Sequence, residues 1–212
     1  RLRHRRHAHR RGAGAEVSGP ALQPPARPQI VALDLPLDGR EAGPRGGVLL
    51  AGFADPWPGA LDVFVEADGW QARCQLRRPA RIGLLLGDLA PGPPGYWDEA
   101  ASVEIELSGG ELASVARSAV LNGANTLAVA LGGGEWEVLQ FADAALTGAR
   151  RYRLSGLLRG QGGTLAAGAM AGAVCVVLDA ALTTLPLHAH EIGSAIEVRA
   201  VAAGLAAGDD QA

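Results

Sequence analysis

The chain has 212 residues, 48% of them hydrophobic, with 30 glycines, 13 prolines and only 4% aromatic residues. It is too apolar for a disordered tail, too long for a disulfide-stapled miniprotein and too rich in turn residues for long helices. Its 19 bases against 22 acids give a formal net charge of −3, and every base is arginine, which excludes a phosphate-loop lysine, a Schiff base and a lysine general base.

The chain begins with a basic arm. Six arginines lie between Arg1 and Arg11, with His4, His7 and His9 and no acid, so the remainder carries 13 arginines against 22 acids, a net of −9. Such an arm reads as a solvated connector, or as a DNA contact whose strength would fall steeply with salt. The first residue is Arg1 rather than methionine and no apolar run follows the charged start, so a segment of a longer polypeptide is expected, without a signal peptide. Gly12 to Pro28 is a linker, because prolines at 20, 24, 25 and 28 favour extended geometry.

From Gln29 the pattern changes to short apolar strands between glycine- and proline-rich turns. Strands are expected over Gln29–Leu35, Val48–Phe53 and Leu61–Glu66, the last with Leu61, Val63 and Val65 on one face. Asp68-Gly69 is a two-residue hairpin signal. The return strand Trp70–Arg77 would place Trp70, Ala72, Cys74 and Leu76 on one face and Gln71, Arg73, Gln75 and Arg77 on the other. Further strands are expected over Arg81–Leu86, Ser102–Leu107, Thr126–Leu131, Trp136–Phe141, Arg151–Leu157, Val174–Leu178 and Ile196–Val201, with one short helix before Asn122-Gly123. Pro91 to Gly95 marks a subdomain boundary. The expected architecture is all-β, antiparallel sandwich or barrel subdomains with at most one short helix: a linker over 1–28, a first β subdomain over 29–100, a second over 101–203 and a tail over 204–212.

Cys74 and Cys175, the only cysteines, sit in apolar alternating stretches and read as buried thiols, with one long-range bridge as the alternative. The longest apolar run, Leu165–Leu178, is 14 residues, short of the roughly twenty that span a bilayer, so no stable membrane insertion is expected.

Residues that carry chemistry are sparse. His188 and His190 beside Glu191 would share a face on a strand, but no third metal ligand is nominated. The glycines of Gly160–Gly163 supply a turn rather than a phosphate loop, since the spacing of a nucleotide fingerprint is missing. Ser155 lies outside a nucleophile-elbow pattern. Asp98 and Glu99 are adjacent and would diverge on a strand, so they form no carboxylate dyad. No catalytic residue, cofactor or metal site is assigned. Arg150, Arg151, Arg153 and Arg159 form a basic patch, read either as cross-strand ion pairs with Glu135, Glu137 and Asp143 or as a subunit interface. Trp57 and Trp97, in proline- and glycine-rich loops, are candidate ligand contacts.

One ordered set of motifs adds to this. Trp57-Pro58-Gly59, Pro79 to Gly83, Asp98, LASV at Leu112 to Val115, LNGAN at Leu121 to Asn125, GEWEVLQFA at Gly134 to Ala142 and YRLSGLLRGQGGT at Tyr152 to Thr164 follow one another. In that order they resemble the C-terminal region of the large tail-tip "megatron" proteins of gene transfer agents and related siphovirus-like particles, from about Pro28 to Val201. The resemblance implies a virion structural protein of the baseplate, at the tail tip of an extracellular phage-like particle assembled in the bacterial cytoplasm. It implies a homotrimer that meets the tail hub, other baseplate proteins and bacterial surface molecules, closes the channel and takes part in DNA delivery. It implies no catalytic site. Where the family often places an acid after GT, this chain has Leu165. The alternative readings are a carbohydrate- or receptor-binding adhesin module, using Trp57 and Trp97, and a cell-wall hydrolase.

Overall fold

A computed structural model describes residues 27–35 and 47–205. The basic arm, most of the linker and the end of the tail lie outside the described residues.

The chain is all-β, with one short helix among the described residues. In order it forms β1 (Gln29–Leu33), β2 (Gly47–Phe53), β3 (Leu61–Glu66), β4 (Trp70–Leu76), β5 (Ile82–Leu85) and β6 (Trp97–Leu107). Then come α1 (Arg117–Leu121), β7 (Thr126–Gly132), β8 (Glu135–Gly148), β9 (Arg151–Leu158), β10 (Val174–Val177), β11 (Thr183–Pro186) and β12 (Val198–Ala202). A 3-10 turn occupies Gln161–Gly163. Sandwich and barrel are both present. Six strands close a barrel in the order β10-β5-β6-β9-β8-β7, and two three-stranded sheets, β1-β2-β11 and β12-β3-β4, stack outside it.

The layering follows from which faces are apolar. In β6, Val103, Ile105 and Leu107 point inward while Glu104 and Glu106 do not, as the alternation predicts. The barrel is filled by these residues with Leu127, Val129, Leu139, Phe141, Tyr152, Leu154, Leu157 and Cys175. Outward-facing Ile82, Ala128, Val138 and Val176 pack on Leu33, Leu35 and Ala51, which seats the β1-β2-β11 sheet against the barrel wall. The other face of that sheet, through Leu50 and Leu185, packs on Leu61, Val63, Val65 and Leu76. Val48-Leu49-Leu50-Ala51 is apolar without a break because β2 is covered on both faces. Each Leu or Val so buried contributes about 1.5–3 kcal/mol relative to exposure. Gly83 lets β5 approach β6: a Cβ there would lie 2.5 Å from the Glu106 carbonyl oxygen.

Several expectations are corrected. Residue 100 lies inside β6, and the barrel takes strands from both sides of it, so the boundary expected at 100/101 is not a division between units. The proline run at 91–95 is a turn into β6. The division is nested instead: the sandwich uses residues 29–76 and 183–202, and the barrel is inserted between them. β8 continues past Phe141 to Gly148, and β11 carries the weak pattern TTLP that gave no strand signal.

The Asp68-Gly69 hairpin forms, with φ of 52° and 107° at the two turn residues. A bulge then breaks the alternation of β4, because Val63 faces Cys74 while Phe64 faces Ala72, leaving Arg73 as the extra residue. Cys74 and Leu76 therefore stay on the packed face, while Trp70 and Ala72 move to the other. There the Arg199 guanidinium lies 4.6 Å from the Trp70 ring centroid.

Candidate functional site

The three longest motif blocks converge on one end of the barrel. Arg159 follows the last residue of β9, and its side chain is fully buried. Burying a guanidinium is costly unless each fork finds an acceptor. Here Nε donates to Glu137 Oε1 at 2.6 Å and Nη2 to Glu137 Oε2 at 2.9 Å, a bidentate pair. Nη1 donates to Asp98 Oδ2 at 3.3 Å, and both Nη atoms donate to the Ala90 carbonyl at 3.1 Å. Gly92 leaves room for this, since a Cβ at that position would lie 2.7 Å from Arg159 Nη1.

The chain leaves Arg159 through Gly160, whose φ is 58° and whose N–H donates to Glu137 Oε1 at 3.4 Å. Thr164 closes the turn: its hydroxyl donates to Gln161 O at 2.8 Å and accepts from the Val138 N–H at 2.9 Å. Three residues along β8 from Glu137, Gln140 donates through Nε2 to Val120 O at 2.7 Å and Ala124 O at 2.9 Å. That fixes α1 and the LNGAN turn on the barrel. Asn125, at φ 53°, donates through Nδ2 to Ala113 O at 2.9 Å. The chemistry of the cluster is mechanical. Both Glu137 oxygens are occupied by Arg159 inside the protein, so the carboxylate is a strut rather than a base offered to a substrate.

The other candidates are distributed as follows. Arg159 is buried and takes no part in a surface patch. Arg151 and Arg153 are exposed and pair with β6, not β8: Arg151 with Glu106 at 3.2 Å and Arg153 with Glu104 at 2.6 Å. Arg150, at φ 57°, donates to Ser108 O at 2.8 Å. Asp98 turns to Arg159 and Glu99 to Arg117, so the adjacent acids diverge as expected. Ser155 sits opposite Ser102 of β6 and Asp143 of β8. Trp97 packs against Val120, Ala142 and Leu158, and Arg117 lies 4.8 Å from its ring centroid. Trp57 packs on the sandwich core.

His188 and His190 are exposed, with parallel rings 5.7 Å apart. Their neighbour Glu191 turns inward instead, accepting from Arg73 Nη2 at 2.5 Å and Nη1 at 3.1 Å. It also accepts from the His188 N–H at 2.7 Å. Those bonds, Arg73's first, push the Glu191 carboxyl down to about 2. Among the described residues no group of three or more His, Cys, Asp or Glu is placed to hold a metal ion. Cys74 and Cys175 are free thiols in different cores, and burial pushes the Cys175 thiol up to about 12. No helix among the described residues is long and apolar enough to cross a membrane.

Sequence reasoning offered Arg159 and Glu137 as cross-strand ion-pair partners without their burial, and missed the Arg73–Glu191 pair altogether. The Arg73–Glu191 contact joins residues 118 apart, and only the β4 bulge turns Arg73 toward it. For Glu137 a signal existed: an acid inside the otherwise apolar run that continues Val138-Leu139, on a strand with both faces covered.

Residues 80–176 match the family model described as Rcc01698-like, C-terminal. Rcc01698 is a protein associated with gene transfer agents. No curated protein matches the chain significantly. The matched stretch starts two residues before β5 and ends within β10, so it coincides with the barrel and contains the whole Arg159 cluster.

Proposed function

We propose that the chain is a structural component of the tail tip of a gene transfer agent or related phage-like particle, acting in trimeric assembly, channel closure and DNA delivery. The observation that carries this reading is the coincidence of the matched stretch with a closed barrel whose motif residues bond to one another. The LNGAN, EWEVLQFA and RLSGLLRGQGGT blocks spend their polar side chains on Gln140, Glu137, Arg159 and Thr164 contacts that fix shape. Such motifs serve a part that must keep its form under load from its neighbours.

A second feature supports shared assembly. The loops at 89–96 and 165–172 pair through Leu89 N–H to Ala169 O at 2.7 Å and Gly92 N–H to Ala166 O at 3.0 Å. Together they expose Tyr96 at 72%, Leu165 at 61% and Met170 at 76%. A second copy of the chain would cover this surface. The tail hub and other baseplate proteins are the neighbours the reading names, with bacterial surface molecules beyond them.

The test is imaging of purified particles with an antibody or density assignment for this chain. Three copies around the tail axis are expected. A chain recovered only as a free monomer, absent from particles, overturns the reading.

A further inference from the structure

We propose that a cleft at the edge of the sandwich, between the end of β4 and the turn from β10 to β11, binds a phosphate monoester. The cleft has a volume of about 510 Å³ and is lined by Gln75, Arg77, Arg78, Ala180, Ala181 and Thr183. Both arginines are exposed, and neither has a carboxylate partner among the described residues. This sets them apart from Arg73, Arg81, Arg117, Arg151, Arg153 and Arg159, each of which is matched to an acid.

The nearby acids are already occupied. Asp179, beside the cleft wall, accepts from Arg81 Nε at 3.1 Å and Nη2 at 2.8 Å with one oxygen, and from the Ala181 N–H at 2.8 Å with the other. Asp62, behind Gln75, accepts from Gln75 Nε2 at 2.9 Å and from the Gly204 N–H at 3.1 Å. Gln75 in turn accepts from Arg77 Nε at 3.3 Å, which holds that guanidinium and leaves its two terminal nitrogens free. Arg78 precedes Pro79, which confines its backbone to extended geometry. Thr183, the first residue of β11, adds a hydroxyl.

The ligand class follows from this donor set. One guanidinium fork saturates a carboxylate, whereas two adjacent forks and a hydroxyl suit a dianion with three acceptor oxygens. The cleft is also larger than a bare phosphate needs, in the range of pockets that hold small organic ligands. A sugar-sized body would fill the rest. Both walls lie outside residues 80–176, on the two crossings between sandwich and barrel, so the site is independent of the barrel match. It does not rest on the tail-tip reading.

The test is titration calorimetry of the 212-residue chain at constant ionic strength, with inorganic phosphate, glucose 6-phosphate and glucose as probes. Both phosphates are expected to bind and glucose is not. Tighter binding of the sugar phosphate supports the monoester site, whereas equal or weaker binding than inorganic phosphate overturns it. Arg77→Gln with Arg78→Gln is expected to weaken binding by more than about tenfold, while Arg117→Gln leaves it unchanged. Amide shifts on phosphate addition should be confined to residues 75–78 and 180–183 of the wild type, a readout that needs no variant. No heat with either phosphate, or the same affinity in the double variant, overturns the proposal.

Discussion

The barrel and the sandwich are each fastened by a buried arginine–glutamate pair, yet the two pairs tie different distances. Arg159 and Glu137 are 22 residues apart and lie on neighbouring barrel strands, whereas Arg73 and Glu191 are 118 apart and reach across the whole insertion. All barrel strands lie between Ile82 and Val177. The sandwich cannot form until chain from before and after the barrel has been brought together. The barrel itself does this, because the Val177 N–H donates to Arg81 O at 3.0 Å and sets its entry and exit side by side. A closure of roughly a hundred residues becomes one of a few, which removes most of its entropic cost. The two units share one apolar seam and stabilise each other across it, but they need each other unequally. The sandwich depends on the barrel, and the barrel has its own closed core.

The largest effect should come from breaking the barrel's pair. Glu137→Gln leaves the Arg159 guanidinium buried with only Asp98 as a charged partner, and is expected to cost about 3–5 kcal/mol. Urea denaturation followed by circular dichroism measures it. The coupling adds a second readout, since Trp97 reports on the barrel, Trp136 on its seam with the sandwich, and Trp57 and Trp70 on the sandwich. All four tryptophans should lose their native fluorescence in one transition. A variant that loses only the barrel signal would break the dependence argued above.

Much of the sandwich and barrel was legible strand by strand, and the connections were not. Alternation found β3 and β6 because each has one face on a core, and Asp68-Gly69 found the first hairpin because both turn residues need positive φ. β11 escaped because Thr183 to Pro186 is short and ends in proline, and it gains strand character only by pairing with β2. The face of Trp70 was misread because a bulge is a property of two strands together, not of one. The nesting of the barrel was hidden for the same reason: closure of β10 on β5 and β7 joins segments that no local pattern connects. Arg159 was visible as a charged residue, but its burial was not, since Leu157-Leu158-Arg159-Gly160 looks like any strand end.

Breaking the sandwich's own pair should have a smaller and more local effect. The Glu191 carboxyl is held near 2, below its ordinary value of 4.5, chiefly by the Arg73 fork. A folded value below the unfolded one means that ionised Glu191 stabilises the fold above about pH 4.5, and that this contribution fades as the pH falls toward 2. Glu191→Gln should therefore lower the denaturation midpoint at neutral pH and flatten its decline over that acid window. Because the barrel closes without Glu191, the Trp57 and Trp70 signals should shift more than that of Trp97. An equal shift of the Trp97 signal would show that the two units need each other equally.

The smallest effect should come from the surface pairs on the barrel wall, and it sharpens what the buried pairs contribute. Arg153 and Glu104 meet at 2.6 Å in register across β9 and β6, as short as the buried Arg159–Glu137 contact. Distance alone would rank this pair with Arg159–Glu137. Their side chains are 57% and 39% exposed, however, so water solvates both ions whether or not they touch. Arg153→Ala is expected to change stability by less than about 1 kcal/mol, and salt should erase even that. A cost comparable to Glu137→Gln would mean that geometry rather than burial sets the strength of these pairs. It would also mean that the exposed arginines on β9 bear on the fold as much as the buried one that follows it.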